Sequence, residues 1–231
     1  MKKSKRWLCL ALLPLLALMA ARQEETPHAY IALTFDDSPN AALTERLLDG
    51  LASRGAHATF FLIGEQLEGQ ENLVRRMADE GHQLGNHTYT HLRLDTTGAV
   101  GLQEVKKTDA RLKEIAGERT YWVRPPWGFA SEETLREISA PLIYWSVDSE
   151  DWSLRDAGKI VRRVTAAAGD GDIVLLHDSY PESVDAALRI VDTLQARGFT
   201  FVTVEELFAH MNIEAEAGKL YARPDTLRPP K

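Results

Sequence analysis

From Tyr30 onward, apolar runs of strand length alternate with amphipathic stretches of helix length, and this order constrains the fold more than any other feature of the chain. The apolar runs cover residues 30–35, 58–63, 82–85, 121–124, 142–147, 172–177 and 199–203. Several are almost unbroken in Val, Ile, Leu and Phe, the composition of strands covered on both faces. The intervening segments, 41–53, 71–80, 101–116, 132–139, 157–168, 184–197 and 205–211, carry apolar residues at helical spacing. Many stop at Gly, as at Gly55, Gly81, Gly117 and Gly198. Strand followed by helix, repeated, predicts parallel strands joined by right-handed crossovers, hence an α/β barrel or a doubly wound sheet. No internal repeat is evident.

A chain of 231 residues, 44% of them hydrophobic, supports one domain with a sizeable core. Residues 1–21 read as a secretory signal peptide: Lys2, Lys3, Lys5 and Arg6 precede an apolar stretch shorter than a membrane span. The expectation is export to the periplasm or the extracellular space, with no stable membrane insertion after cleavage; an uncleaved leader would anchor the same domain on the same side. The single cysteine, Cys9, lies in that leader, so a mature domain would have neither thiol nor disulfide. A net charge of −7, made more negative by removal of the leader, excludes the basic footprint of a nucleic-acid binder. The catalytic domain is placed at residues 28–211. The stretch 212–231, polar and rich in Arg and Pro, reads as a loosely attached tail.

Parallel α/β folds carry their chemistry at the carboxyl ends of the strands, and five such ends here bear functional side chains. TFDDSP at 34–39 sets Asp36 beside Asp37, a doublet that a cation would stabilise and that could equally be a turn or helix cap. HTYTH at 87–91 spaces His87 and His91 four apart, which on a helical turn aims both imidazoles at one point. With one carboxylate they form a two-histidine, one-carboxylate set that leaves positions open for water and substrate. RPPW at 124–127 follows Arg124 with a rigid turn and Trp127; DSEDW at 148–152 supplies Asp148, Asp151 and Trp152; LLH at 175–177 ends a strand with Leu175 and His177. Each segment alone has an ordinary structural reading, as a loop, a solvated turn or a core histidine. Their convergence on one end of the strands does not.

Taken in order, these segments resemble the five motifs of the polysaccharide deacetylase family, carbohydrate esterase family 4. The resemblance covers roughly residues 28–211. It implies an irregular, incomplete (β/α) barrel of about seven parallel strands. It further implies a metal-dependent hydrolase that removes acetyl groups from N-acetylglucosamine-type residues of a glycan such as peptidoglycan, a chitin-like oligomer or poly-N-acetylglucosamine. By the resemblance Asp37, His87 and His91 hold one divalent ion, zinc first, with cobalt or nickel also suited to the ligands. Asp36 is then the general base, tuned by Arg124, and His177 the general acid, paired with Asp151. The Trp127 backbone N–H serves the oxyanion, while Trp152 and Leu175 line the acetyl pocket. One departure is Ser38, where the family has Gly; if that position needs positive φ, Ser costs about 1 kcal/mol. Two rival readings remain at this stage, an O-acetyl xylan esterase and a glycan-binding pseudoenzyme.

Overall fold

The computed structural model describes residues 29–229, so the signal-peptide reading of residues 1–21 lies outside the described residues. In chain order the elements are β1 (Ala29–Ser38), α1 (Ala41–Ala52), β2 (Thr59–Leu62), α2 (Glu71–Asp79), β3 (Gln83–Asn86), α3 (Ala99–Ala116), α4 (Glu132–Glu137), β4 (Leu142–Ile143), β5 (Val147–Asp148) and α5 (Asp151–Leu154). There follow α6 (Ala157–Ala167), β6 (Asp172–His177), α7 (Pro181–Gln195), β7 (Phe199–Phe201), α8 (Val204–His210), β8 (Leu220–Arg223) and β9 (Thr226–Leu227). Among the described residues no helix is long and apolar enough to cross a membrane.

The main sheet runs β3-β2-β1-β6-β5, all parallel, with β1 at its centre. β1 is long enough to serve two neighbours on one side: Ala29, Tyr30 and Ile31 pair with β7, and Thr34, Phe35 and Ser38 pair with β2. Beyond β3 the arc continues through Val123, which bridges to both Asn86 and Leu142, and then from β4 to β8. The stretch predicted as one strand over 142–147 is thus two. Leu142 and Ile143 pair with β8, whereas Val147 and Asp148 pair with β6 at the other end of the arc. One short segment therefore spans the gap between the two ends, and the barrel is incomplete, as the family resemblance implies. The strand expected at 121–124 is reduced to its bridge at Val123, because Pro125 and Pro126 lack the N–H groups that would extend it.

Period-two alternation along β1 assigns its side chains. Ile31, Leu33 and Phe35 enter the large core against the helices, with Leu47, Leu48, Val184 and Ile190. Ala32 faces the barrel interior with Phe61, Ile143 and Ile173. Thr34 and Asp36, in phase with Ala32, must then also point inward, and that is how a carboxylate comes to lie at the mouth of a packed interior.

The reading of 212–231 as a loose tail is corrected. Leu220 and Tyr221 are buried, β8 pairs in parallel with β4, and β9 folds back antiparallel on β8. Arg223 ties this hairpin to Asp172 at the start of β6 and to the Asp170 carbonyl. Two apolar residues among many charged ones make too weak a sequence signal, yet they complete one end of the arc.

Candidate active site

At the carboxyl ends of the strands a cavity of about 440 Å³ is lined by Asp36, Asp37, His87, His91, Trp127, Trp152, Leu175 and His177, together with Phe129, Trp145, Asp148 and Tyr180. Eight of the ten residues to which the family resemblance gives roles thus share one cavity. The other two, Arg124 and Asp151, are fully buried behind it, each holding a residue that does line it.

Parallel pairing of β1 with β6 puts Asp36 opposite His177 in register, so the carboxylate and the imidazole emerge side by side from adjacent strands. Arg124 lies beneath Asp36. Its Nη1 donates to Asp36 Oδ1 at 2.8 Å and to Thr34 Oγ1 at 2.6 Å, its Nη2 to the Tyr144 carbonyl at 2.7 Å and its Nε to the Ile143 carbonyl at 3.3 Å. The Phe61 ring covers the guanidinium at 4.1 Å. A buried charge with its donors directed in this way is a fixed element of the interior. Burial works to raise the Asp36 carboxyl, but the charges of Arg124, His87 and His177 and the Arg124 hydrogen bond outweigh it and hold Asp36 below the ordinary carboxylate value. Asp36 is therefore ionised at neutral pH. Its second oxygen, Oδ2, is 3.6 Å from His87 Nε2.

The second pair has the opposite setting. Asp151 accepts from the His177 backbone N–H through Oδ2 and meets the ring Nδ1 through Oδ1, both at 2.8 Å, which leaves Nε2 as the ring atom available to a ligand. Burial works to lower the imidazole, but the Asp151 hydrogen bond and charge, with Asp36 and Asp37, raise it to about 9. A carboxylate kept ionised stands beside an imidazole kept protonated, the division that general acid–base catalysis needs.

Between them is a donor set suited to a cation. One ligand atom each from Asp37, His87 and His91 lies within 4.8 Å of the others. Among the described residues Asp37 Oδ1 is buried with no hydrogen-bond partner, and it sits 3.6 Å from His87 Nε2 and 3.3 Å from His91 Nε2. An orphaned carboxylate oxygen facing two ring nitrogens is costly unless a positive charge joins them. His87 Nδ1 is 2.7 Å from the Arg124 carbonyl, which fixes that nitrogen as an N–H donor and turns Nε2 toward Asp37. Burial, then the neighbouring His87, pushes the His91 imidazole below its ordinary value, toward the neutral form that metals bind. The residues fit a divalent ion.

Two local expectations change. The histidines are not on a helical turn: residues 87–91 form an irregular loop in which Thr88 has φ 63° and His91 φ 59°. Ser38 needs no glycine-like backbone, because the positive φ falls on Asp37, at 61°. Trp127 also has positive φ, 53°, in the turn made by the two prolines, and among the described residues its backbone N–H meets no acceptor. Its indole packs edge-on against His91, with ring centroids 4.3 Å apart. Sequence reasoning missed Tyr180, Trp145 and Phe129 as cavity residues. Tyr180 was within reach, since it follows a strand-end histidine by three positions.

The model of the family described as polysaccharide deacetylase matches residues 23–141. The chain belongs to the polysaccharide deacetylase family. A peptidoglycan-N-acetylglucosamine deacetylase, PgdA, of Listeria monocytogenes serotype 1/2a (strain 10403S) is 36% identical over 192 residues, 83% of this chain and 41% of that protein. A peptidoglycan-N-acetylmuramic acid deacetylase, PdaC, of Bacillus subtilis (strain 168) is 40% identical over 180 residues, 77% of this chain and 38% of that protein. The chain spans about two fifths of the length of these curated relatives. Among solved structures, a family 4 acetyl xylan esterase from Clostridium thermocellum in complex with a cobalt ion superimposes with a TM-score of 0.81 at 29% identity, over 85% of this chain and 100% of that one.

Proposed function

We propose that this chain is a zinc-dependent N-deacetylase of an N-acetylated glycan, peptidoglycan or a chemically similar N-acetylhexosamine polymer, exported by its N-terminal leader to work on the cell envelope. One observation carries the reading: Asp36, held ionised by Arg124 behind it, and His177, held protonated by Asp151 behind it, line the same cavity as a cation-ready Asp37, His87 and His91. The peptidoglycan substrates named for PgdA and PdaC support the substrate class. A divalent ion held by Asp37, His87 and His91 would supply Lewis acidity, polarising the amide carbonyl and lowering the pKa of water; zinc suits the ligands, as do cobalt and nickel.

The protein's own groups then account for the protons. Asp36 Oδ2 accepts one from the attacking water as the new C–O bond forms at the acetamide carbon. The N–H of Trp127 donates to the developing oxyanion. His177 gives its proton to the sugar nitrogen as the C–N bond breaks, so acetate and a free amine leave. Leu175 and Trp152 present apolar surface where the acetyl methyl would sit.

The test is acetate release from peptidoglycan, chitooligosaccharide, poly-N-acetylglucosamine oligomers and acetylated xylan, with zinc and with a chelator. Release from the N-acetylated glycans that chelator abolishes and zinc restores is expected. Release from xylan alone would make the chain an O-acetyl esterase, and binding without release a pseudoenzyme; either outcome overturns the proposal.

A further inference from the structure

The loop between His87 and His91 has no regular structure of its own, and two of its non-glycine residues, Thr88 and His91, sit at positive φ. A β-branched residue in that region is strained and holds its place only when its surroundings fix it. Part of the support comes from backbone: Thr88 and Tyr89 accept through their carbonyls from the N–H groups of Gly64 and Glu65, at 3.0 and 2.9 Å. The remainder comes from side chains, and most of it converges on a single atom. Glu104 Oε2, on α3, accepts from the Tyr89 N–H at 3.1 Å, the Thr90 N–H at 2.6 Å and the Thr90 hydroxyl at 2.9 Å. One carboxylate oxygen thus gathers the two residues immediately before His91.

The His87 end is fastened to the same helix. Asn86 accepts from the Thr88 N–H through Oδ1 at 2.8 Å, and its amide donates to the Val105 carbonyl at 2.8 Å and to Asp109 at 2.7 Å. Helix α3 therefore holds both ends of the histidine loop, although none of its residues enters the cavity.

We infer that Glu104 is a positioning residue for the cation site: it fixes the separation and aim of His87 and His91, so its loss weakens metal binding without removing a ligand. This rests on the metal-dependent reading given above. Groups that orient ligands without touching the metal typically account for about 10- to 100-fold in metal affinity.

The experiment measures the affinity of the full chain for Zn2+ by competition with a chromophoric chelator, alongside the unfolding midpoints of the metal-free proteins. Glu104→Ala is expected to bind Zn2+ roughly 10- to 100-fold more weakly. Glu104→Gln, which keeps an acceptor oxygen at the same reach, should recover most of that loss. The Co2+ absorption spectrum should shift in the alanine variant and return in the glutamine variant. At saturating Zn2+, kcat should stay within a few-fold of wild type. If Glu104→Ala does not fold, Glu104→Asp carries the test, since it withdraws the same oxygen by one methylene and should also bind more weakly. Wild-type affinity and an unchanged Co2+ spectrum in a folded Glu104→Ala or Glu104→Asp variant would overturn the inference. So would a glutamine variant as weak as the alanine one. Failure of the wild-type chain to bind Zn2+ would instead sink the metal-dependent reading itself, so the two failures are distinguishable.

Discussion

Arg124→Ala is expected to destabilise the fold by about 3–5 kcal/mol, the usual cost of removing one partner of a buried ion pair, and to abolish most of the activity. Arg124 is fully buried and directs hydrogen bonds at Asp36, Thr34 and two backbone carbonyls, so truncation leaves a carboxylate at the mouth of the interior with no guanidinium beside it. The pH dependence has a definite sign. In the wild type the folded-state pKa of Asp36 is depressed, so this carboxylate contributes stability above its unfolded pKa and loses it as pH falls through the lower folded value. In the variant, burial dominates and the folded pKa rises, so destabilisation is largest at high pH and relaxes as the solution is acidified and Asp36 takes up a proton. Urea unfolding at several pH values measures this. Destabilisation that grows on acidification would show that Arg124 does not set the charge of Asp36. Arg124→Lys should recover little, because one ammonium cannot meet four separated acceptors.

The second large effect concerns His177, the proposed acid. His177→Ala is expected to lower kcat roughly 10²- to 10⁴-fold, the range for a lost acid catalyst, with Zn2+ binding preserved because His177 is outside the ligand group. In the wild type, kcat/KM should fall as pH rises through about 9, where His177 gives up its proton. That limb should vanish in His177→Ala. It should move to lower pH in Asp151→Asn, which removes the carboxylate charge from Nδ1. A basic limb unchanged in both variants would assign the acid to another group.

How much of this was legible in the sequence depends on whether a feature is local. β1 and β6 are dense apolar runs, and their ends can be read directly, so Asp36 and His177 are expected at strand ends; that the two strands are neighbours comes only from the sheet pairing. The spacing of His87 and His91 marks them as a candidate ligand pair, and the structure brings their ring nitrogens together with Asp37, but not on the helical turn that the spacing suggests. The loop's conformation is set by Asn86 and by Glu104, the latter more than a dozen residues away, and no spacing rule within five residues carries that information. The cost assigned to Ser38 fell on the wrong residue for the same reason, since motif position does not say which residue of a turn takes positive φ. Arg124 shows the opposite case. Its residue type and its place before two prolines marked it, while its burial among partners from β1 and 143–144 belongs to the assembled barrel. The C-terminal hairpin was missed because Leu220 and Tyr221 are too few to form a periodic signal, though they close one end of the arc.

Equilibrium dialysis against Zn2+, comparing the wild-type chain with His87→Ala/His91→Ala, addresses the cation site on which the chemistry depends. The expected result is one tightly held ion per wild-type chain and none retained by a folded double variant, with acetate release lost in parallel. A double variant that keeps a tightly bound ion and still releases acetate would contradict the assignment of the site.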